Sequence, residues 1–373
     1  MSRIRVAVAD DSPFIRKLLA RMLGDEPDLE LAGTAARGEE LLAHLDQWQA
    51  DLIILDLAMP GMGGLATLEE VLRRRPTPVI ILSDNLREGA YAAVDAMRSG
   101  ALDCVDKRDL SLVDFEALRH TLIGRVRQLA SGSVHLGGTE PAGEQATGSG
   151  EGAHTKVRRR ARLSQHPART LPGSPSLLLI GASTGGPPAV ERVLADLGPG
   201  VPCPVVVALH MPTGFTRAFA ARLHAVLPIP VQEAEDGGAL VPGVAYVAPG
   251  GFHTTIRSRL GGFFSCLEPT ADRVQPSVNL LFASAAAVAA PRAVAVLLTG
   301  MGTDGAKGMS ELARAGCHTI AQDEATSVVF GMPRAAIAAG AARETLPLSS
   351  IGGRLRQLAA TAPEPGFIPA TAP

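Results

Sequence analysis

Short apolar runs recur along this chain, and the informative ones end abruptly in a polar or charged residue. In the first third, Ile4–Ala9 stops at Asp10-Asp11, Leu52–Leu55 at Asp56, Val79–Leu82 at Ser83, and Leu102–Val105 at Asp106-Lys107. Such runs are too short for helices and lack strict alternation, so they read as strands buried on both faces. Helix-like stretches separate them, the first opened by Pro13, a residue favoured in a first turn. Strands near 4–9, 29–34, 52–55, 78–82 and 101–105 thus alternate with helices, which predicts a parallel, doubly wound sheet. The same grammar returns later in Leu177–Ile180, Val205–Leu209 and Ala293–Leu298.

Between the two patterned regions the periodicity dissolves into Gly, Ser, Thr, Pro and Arg. We therefore expect an α/β domain over 1–127, a flexible linker over 128–175, a second mostly parallel α/β domain over 176–361, and a tail over 362–373. A length of 373 residues suits two such domains. Within the linker, Lys156–Arg162 holds five basic residues in seven, but no aromatics interleave and no fold accompanies it. It reads as solvated charge rather than a nucleic-acid or membrane contact. A net charge of −2 adds no global attraction to either. The start lacks a signal-peptide apolar core, and the longest apolar tract, Leu280–Leu298, is broken by Pro291-Arg292 into a helix and a strand. A cytoplasmic chain without membrane insertion is expected, with Cys104, Cys203, Cys266 and Cys317 as reduced thiols.

The chemistry sits where the strand runs stop. Ile180-Gly181-Ala182-Ser183-Thr184-Gly185-Gly186 closes one strand and opens a helix, which pushes the Ser183 hydroxyl out beside free N–H groups. Such Gly-rich turns also bind phosphates or merely connect elements, so partners decide. Val205–Leu209 ends at His210-Met211-Pro212, and Ala293–Leu298 leads into Thr299–Gly305, which contains Asp304. In an open parallel sheet one crevice lies beyond the carboxyl ends of the strands, so Ser183, His210 and Asp304 can share it. His210 would then take the proton from Ser183, with Asp304 fixing the imidazole tautomer. The rivals are His253 and His318, placed at strand starts or interiors, and Asp323, which follows the run ending at Ala321; Asp236 reads as a turn former. The chain order Ser, His, Asp is not that of the α/β-hydrolases, and no G-x-G-x-x-G supports a dinucleotide site.

The first domain carries an independent constellation. Asp10, Asp11 and Asp56 at strand ends would repel one another unless a hard cation such as Mg²⁺ sat between them. Lys107 and the Ser83 hydroxyl, at neighbouring strand ends, suit an incoming phosphoryl group.

Both constellations resemble known families. Ile180–Gly186, His210-Met211-Pro212 with Phe215-Thr216, Ala248-Pro249-Gly250-Gly251, Leu298–Ala306 and Gln322–Pro333 are similar to the signature segments of the chemotaxis protein-glutamate methylesterases. The first domain resembles the receiver of a response regulator and implies a flavodoxin-like fold. The resemblance implies hydrolysis of glutamate γ-methyl esters on methyl-accepting chemoreceptors, with glutamine deamidation in some relatives. It implies oxyanion donors in the backbone near Thr184 and Met301, and no cofactor in the hydrolytic site. In the receiver it makes Asp56 the phosphoacceptor for a histidine kinase, Asp10, Asp11 and Asp56 the Mg²⁺ ligands, and Ser83 and Lys107 the readers of the phosphate. Four positions depart from the pattern: Arg108 where proline is usual, Cys104 where an aromatic is, Leu209 for glutamine and Asn279 for aspartate. The alternative is a response regulator whose second domain only binds a partner or nucleic acid.

Overall fold

The computed structural model describes residues 3–83, 87–107, 115–130, 175–270, 272 and 274–360. The expectations for most of the linker, the basic run, the tail and Arg108 lie outside the described residues.

The first domain alternates β1 (Ile4–Ala9), α1 (Pro13–Gly24), β2 (Leu29–Ala35), α2 (Gly38–Trp48), β3 (Leu52–Asp56), α3 (Gly63–Arg74), β4 (Val79–Ser83), α4 (Arg87–Arg98), β5 (Asp103–Asp106) and α5 (Phe115–Ala130). Its five parallel strands lie in the order β2-β1-β3-β4-β5. Alternate residues along each strand serve opposite faces. Val6, Val8, Ile54 and Leu82 pack with Leu19, Met22 and Val126 of α1 and α5, whereas Ala7, Ile53, Leu55 and Ile81 pack with Leu41, Leu68 and Val94 of α2, α3 and α4. That two-sided burial is why these runs are apolar throughout. The helix α5 passes the expected edge at 127 and ends at Ala130, because Leu129 is still buried in the core.

The second domain contains β6 (Leu177–Ala182), α6 (Gly186–Leu197), β7 (Val205–Leu209), α7 (Phe215–Val226), β8 (Val231–Glu233), β9 (Ala239–Leu240), β10 (Ala245–Val247), β11 (Phe252–Arg259), β12 (Gly262–Pro269) and α8 (Val278–Ala289). It continues with β13 (Ala293–Leu297), α9 (Ala306–Arg314), β14 (His318–Gln322), α10 (Met332–Ala338), β15 (Glu344–Leu346) and α11 (Leu348–Ala360). Seven strands form a parallel sheet in the order β15-β14-β13-β6-β7-β10-β8. A separate antiparallel sheet joins β11, β12 and β9. The chain runs from β6 to β7 on one side and later returns to β13 on the other, so strand order reverses at β6. A crevice must open at that reversal, since the helices leaving β6 and β13 go to opposite faces. The tract Leu280–Leu298 is most of α8 followed by β13, as its sequence reads, and among the described residues no helix is long and apolar enough to cross a membrane.

Candidate active site and phosphoacceptor site

The three strand ends converge. His210 Nδ1 lies 3.0 Å from Ser183 Oγ, and His210 Nε2 lies 2.9 Å from Asp304 Oδ2. The ring is turned the other way from the serine-protease triad, where Nε2 faces the serine. Its chemistry is unchanged: with the Nε2 proton held by Asp304, the Nδ1 lone pair faces the Ser183 hydroxyl. Two backbone bonds fix the approach, from His210 N to Ala182 O at 3.2 Å and from Ser183 N to Thr299 O at 3.0 Å.

Glycine makes this convergence possible at two places. Gly185 caps α6 with a φ of 73°, a left-handed turn that releases the chain sharply from strand into helix. A Cβ on Gly300 would stand 2.8 Å from Ser183 Cβ and 2.3 Å from Met332 Sδ, so only glycine lets the turn after β13 press against the serine. Met301 follows directly in that turn, and Thr184 follows Ser183 at the mouth of α6.

Asp304 sits at the N-terminus of α8. Its Oδ2 accepts from Val278 N at 2.7 Å; its Oδ1 accepts from Asn279 N at 3.0 Å, Gly305 N at 3.0 Å and the Ser277 hydroxyl at 3.2 Å. Burial works against its charge, but His210 and the Asn279 and Val278 amides outweigh burial and hold the carboxyl below its ordinary pKa. These α8 donors were absent from the sequence reading. The signal was there in Pro276-Ser277 before an apolar stretch, an N-cap pattern. Asn279, where aspartate is usual, turns away from the line: its Oδ1 accepts from Gly308 N at 2.9 Å and ties α8 to α9.

The rivals are engaged elsewhere. His318 pairs with Glu344 at 2.7 Å, Asp323 caps its own turn by accepting from Thr326 N at 3.0 Å, and Asp236 accepts from Leu267 N at 2.8 Å. His253 lies on β11 and bonds Asp272 and the Ser277 backbone. All four cysteines are free thiols; burial pushes the Cys203 thiol up to about 12 and the Cys104 thiol higher still, which makes both inert.

In the first domain, Asp10, Asp11 and Asp56 each present a carboxylate oxygen, and these oxygens lie within 4.8 Å of one another. Lys107 Nζ bridges Asp10 Oδ2 at 3.0 Å and Asp56 Oδ2 at 2.7 Å. Both Oδ2 atoms are buried, and neither receives a well-aligned hydrogen bond from the described residues. Burial, with the Asp56 charge adding to it, raises the Asp10 pKa despite Lys107. Oxygen donors of excess negative charge with unfilled lone pairs are what a hard divalent cation needs, so the residues present fit Mg²⁺. The Ser83 hydroxyl donates to Gly89 O of α4 at 2.9 Å.

The two halves touch at the serine turn. Leu102, expected inside the fifth strand, keeps its N–H on Val79 O but turns its carbonyl outward to accept from Gly185 N at 3.0 Å. The Thr184 hydroxyl donates to Asp103 Oδ2 at 3.0 Å, while Arg125 holds Asp103 Oδ1 at 3.2 Å. Gly124 of α5 faces the Met301 side chain, and Val329 is buried among core residues of the first domain. Ala90, Ala93, Val94 and Met97 of α4 share one apolar cluster with α6 and α7, flanked by an Arg98–Glu191 ion pair at 3.2 Å.

Fold and site together define an α/β protein with a serine–histidine–aspartate line in one half and a receiver-type acidic site in the other. A family model described as CheB methylesterase matches residues 178–355, and one described as response regulator receiver domain matches residues 6–116. A Geobacillus kaustophilus protein named protein-glutamate methylesterase/protein-glutamine glutaminase is 39% identical over 364 residues, spanning 96% of this chain and 99% of its own length. One of the same name from Symbiobacterium thermophilum is 39% identical over 356 residues, spanning 93% and 95%. The crystal structure of the Thermotoga maritima CheB methylesterase catalytic domain is 40% identical and covers 50% of this chain and 99% of its own, with a TM-score of 0.48. The chain belongs to the CheB methylesterase family and carries a response regulator receiver domain ahead of the hydrolase half.

Proposed function

We propose that this protein is a cytoplasmic, phosphorylation-activated hydrolase that removes methyl groups from glutamate γ-methyl esters of methyl-accepting chemoreceptors and deamidates receptor glutamines. The observation that carries this reading is the continuous hydrogen-bonded line from Ser183 through His210 to Asp304, at the ends of β6, β7 and β13. A domain that only bound a partner or nucleic acid would have no use for that line.

Ser183 Oγ attacks the ester carbonyl carbon while His210 Nδ1 takes its proton. Asp304, kept ionised by its donors, orients the ring and stabilises the imidazolium. The backbone N–H groups of Thr184 and Met301 receive the oxyanion, each such donor contributing roughly 2.7–4 kcal/mol in the transition state. His210 returns the proton to departing methanol, or to ammonia from a glutamine. It then deprotonates water, which releases the acyl group from Ser183.

In the receiver, Asp56 is the phosphoacceptor for a cognate histidine kinase. Asp10, Asp11 and Asp56 would hold Mg²⁺, which supplies charge neutralisation for an anionic donor. Lys107 follows the phosphoryl group, and Ser83 leaves Gly89 and carries the change into α4, which packs on α6 and α7. The unphosphorylated receiver restrains the hydrolase by occupying Gly185 N and the Thr184 hydroxyl and by packing on Met301.

Methanol release from methylated receptor membranes tests the hydrolytic reading, and labelling by acetyl phosphate tests the receiver. We expect methanol from the wild type and label only with Mg²⁺ present. No methanol from phosphorylated protein, or label on an Asp56→Asn variant, overturns the corresponding half.

A further inference from the structure

The geometry points to His253 as a positioning residue for the hydrolytic line: its imidazole fixes the helix N-terminus that holds Asp304, and through Asp304 it sets His210. This rests on the Ser183–His210–Asp304 reading and adds a member to it.

The tautomer of His253 follows from its neighbours. Its Nδ1 lies 3.1 Å from the backbone N of Ser277, and a backbone N–H can only donate. Nδ1 is therefore the lone-pair nitrogen, and Nε2 carries the proton and donates it to Asp272 Oδ2 at 2.9 Å. The ring is buried and held by a partner on each nitrogen. It sits on β11, which is paired along its length with β12 and thus presents a rigid platform.

Ser277 is the N-cap of α8, and an N-cap has no use for its own N–H inside the helix. His253 takes that N–H. The Ser277 hydroxyl then serves twice, accepting from Leu280 N at 3.3 Å and donating to Asp304 Oδ1 at 3.2 Å. The next two amides, of Val278 and Asn279, complete the Asp304 cradle. All three donors belong to one turn, and His253 is the side chain that pins the first residue of that turn to the sheet. A second tie, from Ile256 N to Ser284 Oγ at 2.9 Å, holds the same helix further along and leaves His253 to set its mouth.

Loss of the His253 acceptor should let the first turn of α8 drift and tilt Asp304 against His210. A displacement of about 1 Å in a catalytic line costs on the order of 10²-fold in turnover without weakening substrate binding. The test uses the full-length protein, phosphorylated with acetyl phosphate and Mg²⁺, and methylated receptor membranes. For His253→Ala we expect kcat to fall roughly 10- to 100-fold with KM within about twofold. His253→Asn, whose amide oxygen reaches the place of Nδ1, should recover most of the loss. In proton NMR, the hydrogen-bonded imidazole N–H of His210 should shift in the alanine variant and return in the asparagine one. If His253→Ala fails to fold, His253→Gln replaces it, since its amide reaches toward Asp272 but leaves the Nδ1 position empty; asparagine should then exceed glutamine about tenfold. Wild-type kcat in the variant lacking the acceptor, equal losses in both variants, or an unmoved His210 proton overturns the inference. Ser183→Ala, measured alongside, separates the two failures: turnover surviving there sinks the triad itself, whereas a dead Ser183→Ala beside a fully active His253→Ala sinks only the positioning role.

Discussion

Asp10, buried directly after β1, and Asp304, partly buried in the turn between β13 and α9, live in opposite electrostatic worlds. Asp304 is met by three donors from the α8 turn, by Gly305 N and by His210, so its charge is stabilised and its pKa falls. Asp10 is buried beside a second carboxylate, and Lys107 and the Ser12 N–H do not offset that burial, so its charge is penalised and its pKa rises. One half of the molecule holds its carboxylate finished and oriented. The other holds carboxylates in tension, which a bound divalent cation would relieve. A tool needs preorganisation, and a switch needs an unsatisfied state to leave.

The largest effect should come from the finished site. Ser183→Ala should lower turnover on the order of 10⁶-fold with the fold intact, and His210→Gln similarly, with the double variant little worse than either because the groups act as a unit. Methanol release checks this; near-wild-type rates in either single variant break the comparison at its root. Asp304→Asn should cost about 10⁴-fold in kcat with little change in KM, and Asp323→Asn far less, since Asp323 serves only its own turn. The reverse ranking would place the orienting carboxylate on the wrong strand.

Next comes the contact between the halves. A fragment beginning near Ser176 should hydrolyse receptor esters faster than the unphosphorylated full-length chain, and phosphorylating Asp56 should close most of that gap. Asp103→Ala removes the acceptor of the Thr184 hydroxyl, and should raise unphosphorylated activity up to about tenfold, the value of one lost hydrogen bond of about 1.4 kcal/mol. Cys104, in place of the usual aromatic, is buried beside this contact and offers no large ring to swing, so the gap should be modest. A fragment no faster than the intact chain would leave the receiver as an activator or a targeting module.

The smallest effect sharpens the electrostatic contrast most directly. The raised pKa of Asp10 means the folded receiver loses stability as pH climbs past the ordinary value of 3.8 and this buried group ionises. Asp10→Asn should therefore raise stability at neutral pH without Mg²⁺, and abolish any stabilisation by added Mg²⁺. Mg²⁺ affinity in the wild type should rise with pH until Asp10 has released its proton. The depressed pKa of Asp304 gives the opposite sign: its contribution is present above 3.8 and fades as pH falls below it. Asp304→Asn should lower stability by about 1–3 kcal/mol. Thermal melts of both variants across pH, with and without Mg²⁺, decide it; shifts of the same sign would refute the contrast.

Much of this was legible in the amino-acid order. Strand runs apolar throughout, each followed by a polar or charged residue, read as buried parallel strands with those residues gathered at one edge, so Asp10, Asp56, Lys107, Ser183, His210 and Asp304 could be picked out as candidates from spacing and strand ends. What spacing does not carry is which way a group points and what meets it from distant parts of the chain. The reversed imidazole of His210, the α8 turn around Asp304, the His253 tie to Ser277 and the carbonyl of Leu102 turned to Gly185 are contacts between residues far apart in sequence. Local pattern decides which residues are buried and where strands end, because burial and backbone pairing are repeated along each element. Orientation, the sign of a pKa shift and the closure of one domain over another depend on single donors and charges brought together once, and only the packed tertiary structure supplies those.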